Sequence, residues 1–265
     1  MTTDRETSIR RGIEVLLSLA TNDAVAQGGM GVTRIAEHLD REKSQVSRAL
    51  KALAEYGLVE RNRDAMTYRL GWQIYALAQL AGQPRLLEEA RPHLRRLVAS
   101  LEERAHLSVL QGSGVLTLLS DSPGRGVEAV GWVGRVTPAY CTSAGQALLL
   151  DCDREALELI FAGVDLAPRA PRTPTDLDAI VEKLERARRR GHVVSDEEFE
   201  PGLVSVAAAV RGPGGAIVAS LNVSAPKFRF SKRVSEAGEL VGDAAGQLSD
   251  ALSAEQDSDK LSEAV

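Results

Sequence analysis

The sequence has few of the residues on which disulfide scaffolds and metal-binding folds depend. It contains two cysteines, and aromatic residues make up 4% of its 265 residues. Cys141 and Cys152 cannot build a disulfide framework and do not form a Cys-x-x-Cys pair, which excludes zinc fingers. No histidine, cysteine or acidic residues show recognisable metal-ligand spacing. We therefore expect no metal site.

Long apolar stretches and cofactor motifs are also missing. The apolar stretches, such as the one at 144–150, fall far short of the ~20 residues that span a bilayer. The chain does not open on a charged segment followed by an apolar block and a small-residue cleavage site. There is no Walker motif, and no Gly-x-Gly-x-x-Gly follows a predicted strand. These absences predict a cytoplasmic protein with no cofactor and no membrane partner.

Charge is unevenly divided along a chain that is acidic overall. Lys and Arg total 32 against 37 Asp and Glu, a formal net charge of −5, which argues against a nucleic-acid binder. However, residues 1–75 carry 11 basic and 10 acidic side chains, so the acidic excess lies in the remainder. Four basic residues and one acidic residue fall within 41–51. This segment is either a nucleic-acid-contacting helix or a solvated helix face.

Apolar spacing predicts helices in the first part of the chain. A helix is expected at 8–19, followed by a polar, Gly-rich loop at 22–31. Thr33 is a candidate N-cap for a short second helix that ends at Asp40. The inward face of the first helix is predicted to contain Ile9, Ile13, Leu16, Leu17 and Ala20.

The next segment predicts a third helix and a hairpin. The helix covers 42–56, with Gly57 as its C′ residue, and the hairpin joins 58–61 to 66–70. The inward face of this third helix is predicted to contain Val46, Ala49, Leu50, Leu53 and Ala54. Three helices followed by a hairpin predict a winged helix-turn-helix, whose third helix would enter a major groove.

The exposed face of the third helix carries the groups that DNA recognition needs. Hydroxyl and amide groups can contact base edges, and the cations and the wing arginines can contact phosphates. The candidate DNA-binding residues are Lys43, Ser44, Gln45, Ser47, Arg48, Lys51, Arg61 and Arg63. Winged helices also serve as protein-interaction modules, so both functions stay open on the fold alone.

The segment at 72–81 is apolar on nearly all sides, which predicts a linker helix buried on several sides. A dimer partner or packing between the chain's own domains would cover it. A further helix is expected from Leu87 to Leu101, in which Pro92 predicts a kink or a fresh first turn.

The remainder predicts a mixed α/β sensory domain. Strands are expected at 106–111, 115–120, 128–133, 193–195, 205–210 and 216–224. Helices are expected at 143–150, 154–161, 175–190 and 231–252, followed by a frayed polar tail. Strands that bracket helices around one sheet are not the pattern of a doubly wound nucleotide-binding fold.

Residues 137–145 are the most informative part of this half. Pro138 ends an extended segment and 142–145 open a helix, whose free N–H groups could hold a carboxylate or carbonyl. The alternative is a plain N-cap by Thr142 or Ser143. Three aromatic residues border this region and would either stack on a ligand ring or pack in the core: Trp132, Tyr140 and Phe199.

Four segments resemble the IclR family of bacterial transcriptional regulators. They are VTRIAEHLDREKSQVSRALKALAEYGLVERNRDAMTYRLG (32–71), TPAYCTSAGQALLL (137–150), GHVVSDEEFEPGLVSVAAAVRG (191–212) and AIVASLNVSAP (216–226). Within them the chain departs from the usual family pattern by having Cys141 before the turn, Gln146 in place of Lys, and Ser195 before Asp196 in place of an acidic pair.

The resemblance implies an α+β two-domain protein. It implies a winged helix-turn-helix DNA-binding domain at 1–71, a linker helix at 72–83 and a GAF-like effector-binding and oligomerisation domain at 84–252, which leaves a polar tail at 253–265. The implied partners are double-stranded operator DNA, a small organic effector (commonly an acid or an aromatic catabolite) and a second copy in a homodimer that often pairs into a tetramer.

The resemblance and the residue pattern together give one set of candidate effector-binding residues. They are Trp132, Tyr140, Cys141, Ser143, Ala144, Ser195, Leu203, Ser205, Asn222 and Ser224. They offer hydroxyls and one amide around an apolar floor without a fixed cation, which favours a moderately polar, uncharged or anionic ligand.

We therefore expect a non-enzymatic transcriptional regulator, such as a repressor, whose operator binding responds to an effector. The main alternative is a thiol-dependent hydrolase using Cys141 as nucleophile, with the winged helix as an assembly module. The four histidines show no motif spacing to that cysteine, so a buried thiol is the competing interpretation. A protein-interaction adaptor is the third hypothesis.

Overall fold

The computed structural model describes residues 8–81, 84–124 and 131–262. The chain divides into two compact units, Met1–Pro84 and Arg85–Val265, each with its own core. No helix in the described ranges is long and apolar enough to cross a membrane.

The first unit is a winged helix-turn-helix, as the sequence predicts. Its elements are α1 (Ser8–Leu19), α2 (Asn22–Ala26), α3 (Val32–His38), α4 (Lys43–Glu55), β1 (Val59–Asn62), β2 (Thr67–Leu70) and α5 (Trp72–Leu80). The two strands pair antiparallel, with Val59 opposite Leu70. Ile35 of α3 and Val46 and Leu50 of α4 are fully buried and join the helices into one core.

The turn between α3 and α4 depends on a left-handed residue. Asp40 has a φ of 51°, and the next amide, of Arg41, donates to the carbonyl of Ala36 at 2.8 Å. Gly57 ends α4 with a φ of 68°, a conformation that favours glycine. These two reversals fix the position of α4 between α3 and the hairpin.

The predicted inward face of α1 is wrong except at Leu16, which packs against the core. The side chains of Ile9, Ile13 and Leu17 are 73%, 51% and 64% exposed, whereas Val15 and Leu19 are buried. Both sets repeat every four residues, so helical periodicity alone cannot decide which one faces the core. The correction leaves an apolar stripe on the surface of α1.

Two further local predictions need correction. The segment predicted as a loop at 22–31 begins with helix α2, whose N-cap Thr21 accepts the Ala24 amide through Oγ1 at 3.4 Å. The N-cap of α3 is Gly31 rather than Thr33. A helix as short as α2 gives too little periodic signal to be recognised in a polar, Gly-rich stretch.

The second unit is built on a six-stranded sheet with the order β5-β4-β3-β8-β7-β6. Its strands are β3 (Arg104–Gln111), β4 (Gly114–Asp121), β5 (Val136–Pro138), β6 (Val193–Asp196), β7 (Leu203–Arg211) and β8 (Ile217–Pro226). All neighbouring strands described in this sheet pair antiparallel. The predicted strand at 128–133 lies partly outside the described residues, and 131–133 are not in a strand.

Helices cover both faces of this sheet. They are α6 (Pro84–Leu101), α7 (Ser143–Leu148), α8 (Arg154–Ile160), α9 (Leu177–Arg190), α10 (Lys227–Phe230) and, after a 3-10 turn at Ser231–Arg233, α11 (Val234–Ser262). Pro92 lies inside α6 and does not divide it into two helices. The last helix runs to Ser262, past Leu252, where the sequence predicted its end and a frayed tail.

Alternate residues of β7 point into two separate cores. Val204, Val206 and Ala208 pack with α6 and α11, whereas Ala207 packs with α7, α8 and α9. This is the two-residue period of a strand that is covered on both faces. The fold is therefore the predicted α+β arrangement, with α7 lying on the second face of the sheet.

Candidate functional site

One face of α4 presents the polar side chains selected from the sequence. Lys43, Ser44, Ser47, Arg48 and Lys51 are exposed, and Gln45 is half-buried. The five exposed positions share one side of a helix because they are separated by about one or two turns. Val46 and Leu50 are buried on the opposite side and anchor the helix in the core.

Most of the basic side chains near α4 are free to face solvent. Arg48 Nε donates to the carbonyl of Ser44 at 3.3 Å, which lays the guanidinium along the helix surface. Arg41, which contributes to the basic cluster in the sequence, instead pairs with Glu14 of α1 at 3.5 Å. The positive charge of Arg41 is therefore paired within the first unit and does not add to the exposed basic face of α4.

The hairpin tip is held by a side chain and carries two arginines. Asn62 Oδ1 accepts the amides of Asp64 and Ala65, each at 3.1 Å, which closes the turn. Arg63 is exposed in this turn. Arg61 lies over the ring of Tyr68 at 5.8 Å, so its position on the wing is supported by an aromatic contact.

The second unit contains an inner cavity of about 50 Å³ between the sheet and the start of α7. Pairs of residues two apart on four adjacent strands form its floor, because alternate residues of a strand face the same side. The lining residues are His106, Ser108, Val115, Thr117, Trp132, Thr137, Thr142, Ser143, Ala144, Phe199, Leu203, Ser205, Asn222 and Ser224. Among the described lining residues, hydroxyls are frequent and there is no carboxylate or permanent cation.

His106 is the one ionisable imidazole among the lining residues that the structure describes. It is 4% exposed, and burial, together with the nearby charge of Arg104, lowers its pKa to about 4. The imidazole is therefore neutral near pH 7. Its Nε2 lies 3.4 Å from Ser224 Oγ, and its ring lies 5.5 Å from that of Trp132.

Two buried polar atoms of the lining have no hydrogen-bond partner among the described residues. They are Ser143 Oγ and His106 Nδ1. Leaving such a group unpaired costs about 1–3 kcal/mol, which a bound polar molecule can recover. The helix terminus beside them is already capped, since Thr142 Oγ1 accepts the Gly145 amide at 3.2 Å.

The structure brings together seven of the ten candidate effector residues. Those that line the cavity are Trp132, Ser143, Ala144, Leu203, Ser205, Asn222 and Ser224. Tyr140 is buried nearby, but its hydroxyl donates to the carbonyl of Ala167 at 2.7 Å and its ring packs on Phe161. Cys141 and Ser195 are joined to each other, because Ser195 Oγ donates to the Cys141 carbonyl at 3.3 Å.

Cys141 does not have the properties of a nucleophile. Its side chain is buried, and burial raises the pKa of the thiol to about 12. The reactive thiolate is therefore scarce near neutral pH. Cys141 is not among the described lining residues of the cavity, so neither a nucleophile nor a site supports the hydrolase hypothesis.

Several lining residues are not among the sequence candidates. His106 and Ser108 of β3 and Val115 and Thr117 of β4 lie in ordinary alternating strands, which give no signal of a ligand. Sheet order brings these strands beside β8 and β7. His106 of β3 pairs with Asn222 of β8, although the two residues are far apart in the sequence. Knowledge of this strand pairing would have identified the lining residues of β3.

A buried polar network supports the wall formed by α7. Gln146 Nε2 donates to the Tyr140 carbonyl at 3.0 Å and to Glu198 Oε2 at 2.8 Å. Lys183 of α9 forms an ion pair with the other carboxylate oxygen. Burial raises the pKa of Glu198, while Lys183 and Gln146 oppose that change.

No group of three or more histidine, cysteine or acidic residues in the described part of the chain could hold a metal ion. Two family models match the sequence: the IclR helix-turn-helix domain over residues 8–63, and the bacterial transcriptional regulator IclR C-terminal over residues 78–250. Together they cover α1 to β1 of the first unit and most of the second unit.

Individual relatives agree with the family models. The HTH-type transcriptional regulator BhcR of Paracoccus denitrificans is 30% identical over 255 residues, which cover 94% of this chain and 88% of the relative. The HTH-type transcriptional regulator Rv1719 of Mycobacterium tuberculosis is 33% identical over 247 residues, which cover 91% and 93%.

A solved structure extends the likeness to three dimensions. An IclR homolog from Microbacterium hydrocarbonoxydans complexed with 4-hydroxybenzoate matches with a TM-score of 0.77 at 25% identity, covering 93% of this chain and 99% of that chain. Regulators rather than enzymes carry these names, and the winged helix-turn-helix is present in this chain. The chain therefore belongs to the IclR family and is a DNA-binding transcriptional regulator.

Proposed function

We propose that a small organic effector bound in the inner cavity of the second unit controls how tightly the winged helix binds its operator. The observation that carries this proposal is the pair of unpartnered buried atoms, Ser143 Oγ and His106 Nδ1, in a cavity walled by hydroxyls. A ligand hydroxyl or carbonyl would supply the missing hydrogen bonds. The effector class is a catabolic acid or an aromatic metabolite with polar groups.

The relatives support this class without identifying the ligand. The Microbacterium homolog was crystallised with 4-hydroxybenzoate, and another relative is named a Pca regulon regulatory protein, from Pseudomonas putida. An aromatic acid of similar size is therefore a reasonable first probe for this chain.

On the DNA side, α4 would lie in the major groove. Ser44, Gln45 and Ser47 would contact base edges, while Lys43, Arg48 and Lys51 would contact bases or phosphates. Arg61 and Arg63 of the wing would contact the backbone or the minor groove. Their exposure on one helix face and one turn supports this assignment.

We also propose that the active form is a homodimer. On α5, Trp72, Leu77 and Leu80 are 73%, 50% and 86% exposed, and the apolar stripe of α1 is exposed as well. Apolar surface of this extent on one small unit favours a covering partner. A second copy is the occupant that also explains DNA recognition, because two α4 helices would read a pseudo-palindromic operator.

Regulation would work by population shift. The effector would bind one arrangement of the dimer more tightly than another and so change the spacing of the two recognition helices. A coupling of about 1–3 kcal/mol is typical for such systems and corresponds to a change of about 5- to 150-fold in affinity.

Gel-shift titration with the upstream region of its own operon tests the DNA-binding part. We expect salt-dependent binding to a pseudo-palindromic site, which is lost in Arg48→Ala and kept in Arg189→Ala, a surface arginine of α9. Thermal-shift screening of catabolic acids and aromatic metabolites tests the effector part, because a ligand that prefers the folded state raises its melting temperature. The absence of any specific shift at modest salt, or of any stabilising ligand, would count against the corresponding part.

A further inference from the structure

Trp132 and Phe199 each line two neighbouring cavities. On one side they border the inner cavity, and on the other they border an open groove of about 580 Å³. The remaining groove residues are Arg135, Ala167, Pro168, Arg169, Glu200 and Pro201. The two aromatic side chains therefore stand at the boundary between the inner cavity and the groove.

The inner cavity is small for a whole aromatic acid. Its volume of about 50 Å³ would hold only a few water molecules, at about 10–15 Å³ for each. Small-molecule sites more commonly measure about 300–1,000 Å³. A ligand whose end group occupies the inner cavity must therefore extend past Trp132 and Phe199 into the groove.

Each of these rings has an arginine over its face. The Arg135 guanidinium lies 4.5 Å from the centre of the Trp132 ring, and that of Arg169 lies 5.1 Å from the centre of the Phe199 ring. Such a stack occupies the guanidinium face and leaves its N–H edges free to donate. Among the described residues, neither guanidinium has a carboxylate within ion-pair distance.

The two compartments differ in charge. The inner cavity contains hydroxyls, the Asn222 amide and a neutral imidazole, so a carboxylate there would be desolvated without a counter-charge. The described residues that line the groove include two arginines and one acidic residue, Glu200. An anionic group is therefore stabilised in the groove, and an uncharged polar group in the inner cavity.

We propose that Arg135 and Arg169 form an anion subsite next to the effector pocket, and that the effector is an elongated organic acid. Its hydroxyl or carbonyl end occupies the inner cavity, its apolar or aromatic middle passes Trp132 and Phe199, and its carboxylate lies on the two arginines. This inference rests on the proposed function and adds the orientation of the ligand and the residues that select an acid. It places the carboxylate at the outer end, not at the start of α7.

A pair of probes that differ only in charge tests this subsite: 4-hydroxyphenylacetate and 4-hydroxyphenylacetamide. Binding is measured with the full chain through the fluorescence of Trp132 in a Trp72→Phe background, where it is the sole remaining tryptophan of the two. We expect the acid to bind about tenfold more tightly than the amide, the size of one good charge-assisted hydrogen bond.

Variants assign that difference to the two arginines. Arg135→Gln and Arg169→Gln should each weaken acid binding about five- to tenfold and leave amide binding within about twofold. Arg135→Lys, which keeps the charge, should retain most of the acid affinity, and Arg189→Gln should change neither probe. Asn222→Leu should weaken both probes, because it alters the inner cavity alone.

The outcomes separate the subsite from the pocket. Equal affinities for the two probes, or equal losses of both in the arginine variants, would overturn the anion subsite and leave the effector pocket standing. Binding of neither probe, together with no stabilising ligand in the thermal-shift screen, would overturn both. Selective loss of acid binding in both glutamine variants would establish the subsite.

Discussion

The carboxamide of Gln146 and the carboxylate of Glu198 meet at 2.8 Å and join α7 to the segment that follows β6. Both residues are almost completely buried, at 1% and 2% exposure. Lys183 completes the arrangement from α9. Because Ser143 and Ala144 at the start of the same helix line the inner cavity, this contact holds one wall of the pocket in place.

Removing the carboxylate should destabilise the second unit. Glu198→Ala removes one of the two acceptors of the Gln146 amide and the carboxylate that pairs with the Lys183 ammonium, and we expect a loss of about 3 kcal/mol, near the low end for breaking a buried pair. Glu198→Gln keeps an acceptor oxygen and should cost less. Urea unfolding followed by Trp132 fluorescence in the Trp72→Phe background measures both, and an alanine variant as stable as the glutamine one would contradict this role.

A methyl group at position 145 should separate α7 from the chain beneath it. A Cβ on Gly145 would lie 2.3 Å from the backbone oxygen of Ala139, which cannot move aside as a side chain could. Gly145→Ala should therefore destabilise the second unit by more than about 1 kcal/mol and weaken effector binding. Gly246→Ala on α11 meets no atom within 4 Å and serves as the matched control, with equal or slightly higher stability.

The second unit should lose stability in mild acid because of His106. The folded-state pKa of about 4 lies below the ordinary histidine value of 6.5, so the unfolded chain binds the proton more readily. The stabilisation is full above pH 6.5 and is lost as the pH falls toward 4, by about 2 kcal/mol at pH 5. His106→Gln should flatten this part of the pH profile, whereas His38→Gln, at an exposed position, should not. Identical pH profiles for His106→Gln and wild type would show that another group is responsible.

Charged substitutions on α5 should weaken the proposed homodimer. Trp72→Asp and Leu80→Asp, made together, place two carboxylates on a face that the partner would bury. Analytical ultracentrifugation should show a shift toward monomer at micromolar concentration. Leu159→Asp, at a residue of α8 that is 74% exposed, is the control and should leave the assembly unchanged. If the α5 double variant assembles like wild type, this face is not the dimer contact.

Sequence patterns predict the winged helix well because its signals are local. The polar face of α4, Gly57 at its end and the alternating hairpin all act within a few residues of one another. The face of α1 could not be chosen in this way, since Ile9 and Val15 belong to two stripes with the same spacing. Only packing against α3 and α4 decides between them.

The inner cavity could be predicted only in part, because its residues come from segments far apart in the sequence. The family pattern places Ser143, Leu203 and Asn222 near the ligand, and the structure puts all three on the inner cavity. His106 escapes notice because its role depends on its antiparallel register with Asn222, a residue far along the chain. The arginines of the groove are likewise brought together by folding, since Arg135 precedes β5 and Arg169 precedes α9.

The central claim is that a ligand in the second unit changes operator binding by α4. Fluorescence anisotropy of a labelled operator fragment, titrated with protein in the presence and absence of a saturating ligand from the thermal-shift screen, measures this coupling directly. We expect the ligand to change the Kd for DNA by about 5- to 150-fold in the wild type. The same ligand should change the Kd little in Asn222→Leu. Arg48→Ala should show no specific binding with or without the ligand. An operator Kd that stays the same with and without a ligand known to occupy the pocket would contradict the claim.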